Sequence, residues 1–161
     1  MKSLIFILAL ISTTFAITFN CEFRIAPYAD FPDSIYTCDN AEVLNIDDGE
    51  NLTAVYGQHE SGMSNSDVKG LLTRTSPDLS FFPRAIENFF PNLEVFAIDY
   101  SNITVLHGDE LNPFVNLTWF GIYASPLERI SGNLFDATPL MNTNRFISNN
   151  IKYVGAELYS N

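Results

Sequence analysis

Leu93, Phe96, Ile98, Ile103 and Leu106 recur at one fixed offset as Leu117, Phe120, Ile122, Leu127 and Ile130, and at the same offset again as Met141, Asn144, Phe146, Ile151 and Val154. A fixed period of this length, in the twenties, restricts the chain to a stack of similar turns, because one short repeat cannot close a core alone and buries its apolar face only against its neighbours. Within the repeats, Phe96-Ala97-Ile98 and Phe120-Gly121-Ile122 alternate with period two. That spacing is a short strand sending 96 and 98 inward and 95, 97 and 99 outward. Stacked turns then make a parallel sheet. Ile103, Leu106, Leu111 and Phe114 line the rest of a coil, and each large apolar side chain contributes about 1.5–3 kcal/mol on full burial, before entropy is subtracted.

A less regular repeat precedes these three. Val68, Leu71, Leu79, Phe82, Ile86 and Phe90 approximate the frame, but Ser76-Pro77-Asp78-Leu79 is one residue longer than Ser125-Pro126-Leu127, so the phase slips near Pro77. At 161 residues and 47% hydrophobic content, the chain is one domain with ample apolar side chains for a continuous core.

Residues 68–161 resemble extracellular leucine-rich-repeat proteins, on the pattern LxxLxLxxNxLxxI followed five residues later by an aromatic or leucine, here Leu111, Phe135 and Tyr159. The segment Phe89-Phe90-Pro91-Asn92-Leu93 and the Cys-bounded leader also resemble a group of secreted insect proteins of this class. The resemblance implies an α/β leucine-rich-repeat solenoid with short parallel strands in a concave sheet and a mostly irregular or short helical convex side. It also implies a recognition role of the kind found in adhesion, immune or developmental receptors. Two positions depart from the pattern. The family's Asn after each strand bonds neighbouring backbone, whereas here the positions are Ser101, Ser125 and Asn149; serine reaches less far, which predicts a weaker ladder. Asn144 occupies the inward slot of Phe96 and Phe120. A buried amide without partners costs about 1–3 kcal/mol, so either backbone satisfies it or the third repeat is slightly open.

Residues 1–16 read as a secretory signal: Lys2, the apolar run Leu4 to Ile11, then Thr14-Phe15-Ala16 before a mature start at Ile17. That run spans only about 12 Å as a helix against the roughly 20 residues a bilayer requires, and no later segment is long and apolar enough to span. The expected location is secreted and extracellular. Removing Lys2 and no acid takes the net charge from −11 to −12, which argues against nucleic acid and anionic membranes as partners and serves solubility.

In an oxidising compartment Cys21 and Cys38 should pair. Closing a loop of that size stabilises by about 3 kcal/mol in the chain-entropy model, which suits an N-terminal capping region over residues 17–67. There is no CxxC spacing, and His59 and His107 lie far away in sequence. Within the cap, Val43 to Ile46 and Leu52 to Val55 read as a hairpin around Asp47-Asp48-Gly49-Glu50, where Asp-Gly takes the positive φ of a tight turn. The spacing of these acids does not match an EF-hand. Gln58 to Asp67 is polar and reads as a surface loop leading into the array.

The outward strand positions form three columns: Val95, Trp119 and Thr143; Ala97, Gly121 and Arg145; Asp99, Tyr123 and Ile147. Trp119 is the only tryptophan, and large aromatics on an exposed sheet act disproportionately as interface anchors. The alternative is that a loop or another copy covers it. The candidate partner-binding residues are Val95, Asp99, Trp119, Tyr123, Arg145 and Ile147. Sequons stand at Asn51, Asn102 and Asn116; in the repeat frame Asn102 and Asn116 lie off these columns, so glycans there would leave the sheet open.

Catalysis finds little support: HExxH, GxSxG, a phosphate loop and a Cys–His constellation are all missing. His59 beside Glu60 is an ordinary surface pairing, and His107 reads as a solvated turn residue. No catalytic, cofactor or metal site is expected. Two functions compete. One is a secreted module that binds a protein or glycan partner through its concave sheet. The other is a structural or assembly protein, or a fragment of a larger receptor, whose open C-terminal end is capped by another chain or by further repeats. The repeats run to Tyr159 without a cap, and terminal repeats normally need one. That predicts self-association through this end.

Overall fold

The computed structural model describes residues 17–27, 34–46 and 50–156. The expected signal segment 1–16, the Asp47-Asp48-Gly49 turn and Tyr159 lie outside the described residues. The strands are β1 (Ile17–Pro27), β2 (Ser34–Leu44), β3 (Leu52–Tyr56), β4 (Gly70–Thr73), β5 (Val95–Asp99), β6 (Val105–Leu106), β7 (Trp119–Tyr123), β8 (Arg129–Ile130), β9 (Thr143–Ile147) and β10 (Tyr153–Val154). Together they make a strand-rich solenoid. A seven-stranded sheet in the order β3-β1-β2-β4-β5-β7-β9 forms one wall, and a three-stranded sheet in the order β10-β8-β6 forms a second.

The apolar frame sets the register of the long sheet. Leu71, Phe96, Phe120 and Asn144 are aligned across β4, β5, β7 and β9, all parallel. The extra residue of the first repeat is absorbed between Thr73, which pairs with Ile98, and Leu79, whose carbonyl accepts from Asn102 N–H at 2.8 Å. After each strand the backbone turns through one left-handed, non-glycine residue: Thr75, Tyr100, Ala124 and Ser148, with φ between 47° and 58°. One continuous core runs from Ile17 to Phe135. Phe96 and Phe120 meet edge to face in it at 5.9 Å, a preferred aromatic geometry.

The return side of the coils is mostly irregular, as the resemblance implied, and carries too little helix to support the α/β class. Among the described residues the only helical segments are two 3-10 turns, Asn65–Asp67 and Ile86–Asn88. The stretch 107–118 between β6 and β7 contains Gly108 and Pro113, and the stretch 131–142 between β8 and β9 contains Gly132 and Pro139. Such stretches are too short and too interrupted for a helix, and they fold as successive i to i+3 turns, such as Phe114 N–H to Leu111 O at 3.0 Å and Thr138 N–H to Phe135 O at 3.1 Å.

The cap is built differently from the expected hairpin. β1 and β2 pair antiparallel, with Phe23 opposite Cys38, and the Cys21–Cys38 disulfide bridges them with Cα atoms 5.0 Å apart. Val43 and Leu44 end β2, while β3 lies on the far side of β1 and runs parallel to it, Phe19 opposite Val55. The physical reason is strand length. Ile17, Phe19, Cys21 and Phe23 give β1 four buried inward side chains, so an 11-residue partner strand buries far more than a short hairpin arm. The loop 58–67 is tied back by His59: Tyr36 Oη lies 3.0 Å from Nδ1, Asn65 Oδ1 lies 3.0 Å from Nε2, and the ring stacks on Phe23 at 3.8 Å. His59 thus closes the cap.

Candidate functional site

The face of the long sheet opposite the core is built by the period-two alternation of its strands. Phe96, Ile98, Phe120 and Ile122 point into the main core, while Val95, Ala97 and Trp119 join Ile35 and Leu72 in a separate apolar cluster, with Tyr123 packed against it. Trp119 therefore points away from the core, but it is not exposed: only 2% of it is accessible, and Val95 is fully buried. Periodicity gives the direction of a side chain and says nothing about what lies over it.

The Trp119 and Tyr123 rings stack, 16° from parallel with centroids 6.1 Å apart. Gly121 lies between them in the strand, and a Cβ there would come within 2.6 Å of Trp119 Cη2 and 2.7 Å of Tyr123 Cε2. The bare glycine lets both rings converge over the strand. Trp119 and Val95 form the floor of this face, leaving the accessible surface to the ends of the strands.

Those ends carry Asp99 and Tyr123, both half-buried, together with exposed Ile147, while half-buried Arg145 lies mid-strand in β9 opposite Gly121. Tyr100 is exposed at the corner after β5. Register places Arg74 beside Asp99 in the same row, since Thr73 pairs with Ile98. Burial pushes the Asp99 carboxyl above its usual range, and the Arg74 guanidinium offsets part of this. Asp39 on β2, almost wholly buried, pairs with Arg24 of β1 and with Arg74 at 3.5 Å. A buried carboxylate held by two half-exposed guanidinium groups fixes the direction of both arginines.

Thus the structure brings Asp99, Tyr123 and Ile147 together at one rim, leaves Arg145 two residues back in β9, and sinks Val95 and Trp119 beneath the face. Sequence reasoning missed Arg24, Asp39, Arg74 and Tyr100. Arg74 was detectable from the phase slip, which aligns it with Asp99; Arg24 and Asp39 lie on cap strands whose bulged register no repeat reveals.

Behind the rim, the residues after the left-handed corners form a ladder. Ser101 and Ser125 hydroxyls are 2.8 Å apart, Ser125 N–H donates to Asn149 Oδ1 at 3.1 Å, and Asn149 Nδ2 donates to Ile122 O at 2.8 Å. The serine hydroxyls reach one another and also bond backbone, Ser125 Oγ accepting from Ser101 N–H of the neighbouring coil at 3.2 Å and donating to Tyr123 O at 3.1 Å. Asn144 is half-buried, and no residue of β9 is buried, whereas the first four of β5 and of β7 are.

Elsewhere, a cleft of about 280 Å³ is lined by Glu50, Ser80, Arg84, His107 and Glu110 among others. Burial pushes the Glu110 carboxyl up to about 7, with repulsion from Asp109 and Glu50 adding to it. The His107 N–H, donating to Glu110 Oε2 at 2.8 Å, and the Arg84 guanidinium act the other way. Glu110 is thus engaged by backbone through Oε2. Asn51 and Asn102 are exposed and Asn116 is half-buried. Among the described residues no group of three or more His, Cys, Asp or Glu side chains is arranged to hold a metal ion, and no helix is long and apolar enough to cross a membrane. No family model, curated protein or solved structure matches the chain.

Proposed function

We propose that this protein is a secreted leucine-rich-repeat recognition module, non-catalytic, that binds a protein partner through the strand-end rim of its concave sheet. The leucine-rich-repeat reading is supported by the fixed period of the apolar frame and by the ladder at the family's asparagine position. The Cys-bounded cap and the Phe89–Leu93 segment support the finer likeness to secreted insect proteins. A disulfide and the apolar leader with its small-residue cleavage site support secretion.

The observation that carries the binding role is the constrained row of recognition-type side chains, Arg74, Asp99, Tyr123 and Ile147, with Arg145 two residues behind it on β9. It is set on a floor made rigid by the Trp119–Tyr123 stack and by the buried Asp39 carboxylate. Tyr and Arg are the residue types that concentrate binding energy, and preorganisation lowers the entropy lost on association. N-linked glycans on Asn51, Asn102 and Asn116 would stand off this face and leave it open.

The test is capture from an arrayed set of extracellular proteins with the secreted chain as bait. For a partner so found, Tyr123→Ala combined with Arg74→Ala should weaken binding at least tenfold, about 1.4 kcal/mol, while Val115→Ser on the return side leaves it unchanged. Equal binding by the wild type and the double variant would overturn the proposal.

A further inference from the structure

On the return side, the seam between the first and second coils is built differently from the two that follow. Between the second and third coils, Glu128 and Arg129 N–H both donate to Thr104 O, at 2.8 and 3.2 Å, and Ser131 N–H donates to Leu106 O at 3.0 Å. One coil on, Lys152 and Tyr153 N–H share Glu128 O, and Gly155 N–H donates to Ile130 O. The first seam starts in the same way, with Asn102 N–H on Leu79 O as Asn150 N–H is on Leu127 O. On that spacing Thr104 and Val105 N–H would share Ser80 O, and His107 N–H would reach Phe82 O. None of these three bonds forms among the described residues. The first coil is drawn toward the cap instead, Arg84 N–H donating to Glu50 O at 2.7 Å and Leu52 N–H to Arg84 O at 2.9 Å. The seam opens into the cleft of about 280 Å³, with Ser80 and Phe82 on one side and Thr104 and Val105 on the other.

Two sets of polar atoms are left over in this cleft. The N–H groups of Thr104 and Val105 point at a place that a backbone carbonyl oxygen fills in the other seams, and they have no partner among the described residues. Two residues along the strand, Glu110 Oε2 takes the His107 N–H. Glu110 is only 8% exposed and lines the cleft, and its Oε1 has no hydrogen-bond partner among the described residues. Arg84, the guanidinium in the cleft, is engaged by Glu50 at 3.1 Å and by Asp109 at 3.5 Å. A buried carboxylate oxygen calls for a cationic donor, and the N–H pair calls for a neutral carbonyl acceptor like the one it lacks. The two lie about 7 Å apart, two residues of extended chain. Among the described residues no group of three or more His, Cys, Asp or Glu side chains could hold a metal ion, so the donor set suits an organic cation.

We propose that this cleft binds the free amino terminus of a short peptide, with its ammonium group on Glu110 Oε1 and the carbonyl oxygen of its second residue on the Thr104 and Val105 N–H groups. The site shares no residue with the strand-end rim and does not depend on the recognition role proposed for it. Protonation gives it a pH window. Glu110 accepts from an ammonium group only when ionised, and its carboxyl is pushed up to about 7 by burial, with Asp109 and Glu50 adding to the shift and the His107 N–H and Arg84 opposing it; the His107 imidazole also lines the cleft. A peptide amino terminus loses its charge above about pH 8. Affinity is therefore greatest between these two values and falls on both sides.

The experiment is isothermal titration calorimetry of the full chain with glycylglycinamide. Saturable binding at pH 7.5 is expected, at least tenfold weaker at pH 5.5 and at pH 9.5. N-acetylglycylglycinamide, which lacks the ammonium group, and propylamine, which lacks the carbonyl, should each bind at least tenfold more weakly. Glu110→Gln keeps an acceptor for the His107 N–H; it should weaken binding at least tenfold at pH 7.5 and remove the fall on the acid side. Glu128→Gln makes the same change of charge outside the cleft and should bind as the wild type does. Thermal unfolding reads whether each variant folds, and if Glu110→Gln does not, the three probes decide. No binding of glycylglycinamide at any pH, equal binding of either truncated probe, or an acid-side fall that survives Glu110→Gln would each overturn the proposal.

Discussion

At the scale of single residues, the inward slot that holds Ile98 and Ile122 in later coils is filled in β4 by Thr73. Its side chain is fully buried and its Oγ1 has no hydrogen-bond partner among the described residues. A hydroxyl desolvated without a partner costs about 1–3 kcal/mol, and an isosteric apolar replacement removes that penalty without opening a cavity. Thr73→Val should therefore stabilise the fold by about 1 kcal/mol, read as a higher urea midpoint with an unchanged slope; a lower midpoint would show that the hydroxyl is satisfied after all.

At the scale of elements, β7 unites the two layers of the molecule, since Phe120 and Ile122 enter the core while Trp119 and Tyr123 build the opposite face. Trp119→Ala should cost about 3–5 kcal/mol, the range for a buried large aromatic, and Tyr123→Ala much less, because Tyr123 is half-buried. Chemical denaturation of the two variants checks the order, and a reversed order would remove the floor from beneath the rim. The inward and outward faces of β5 and β7 were legible, because alternation is a local property of each short strand. Trp119's burial was not, since it depends on Ile35 and Leu72 from β2 and β4. The β1–β2 pairing was missed for a related reason. Asp-Gly turn chemistry near residue 48 is visible in the sequence, but the competition among strands is settled by total apolar burial over β1. The rim residues from β5, β7 and β9 were found because they repeat, while Arg24 and Asp39, which do not, were lost.

For the whole molecule, proton binding and net charge act in the same direction. The Glu110 carboxyl has a pKa of about 7 in the folded protein, above its ordinary value near 4.5, so the folded state keeps a proton that the unfolded state releases. The stability this supplies is fully present below pH 4.5 and is lost as pH rises through 7. The raised Asp99 adds to it, and relief of the repulsion among the excess acids adds again. The lowered Asp67 carboxyl opposes both, and its contribution disappears as the pH falls through the lower carboxylate range. Stability should rise from pH 8 to pH 5, with Glu110 supplying about 1–2 kcal/mol after solvent screening. Glu110→Gln should flatten that part of the profile in thermal melts, and an unaltered slope would exclude Glu110 as its source.

The stacked register also determines how the molecule would carry a mechanical load. Each coil packs mainly on its neighbours, with Phe82 of the first also reaching Phe120 of the third at 6.3 Å between ring centroids, and the coils join through parallel backbone edges, so tension along the axis peels them one at a time instead of shearing the whole sheet. β9, with no buried residue, is the first to yield. The hairpin of β1 and β2 is tied by a covalent bond and holds longest, so resistance to pulling is graded from a soft end to a stiff anchor.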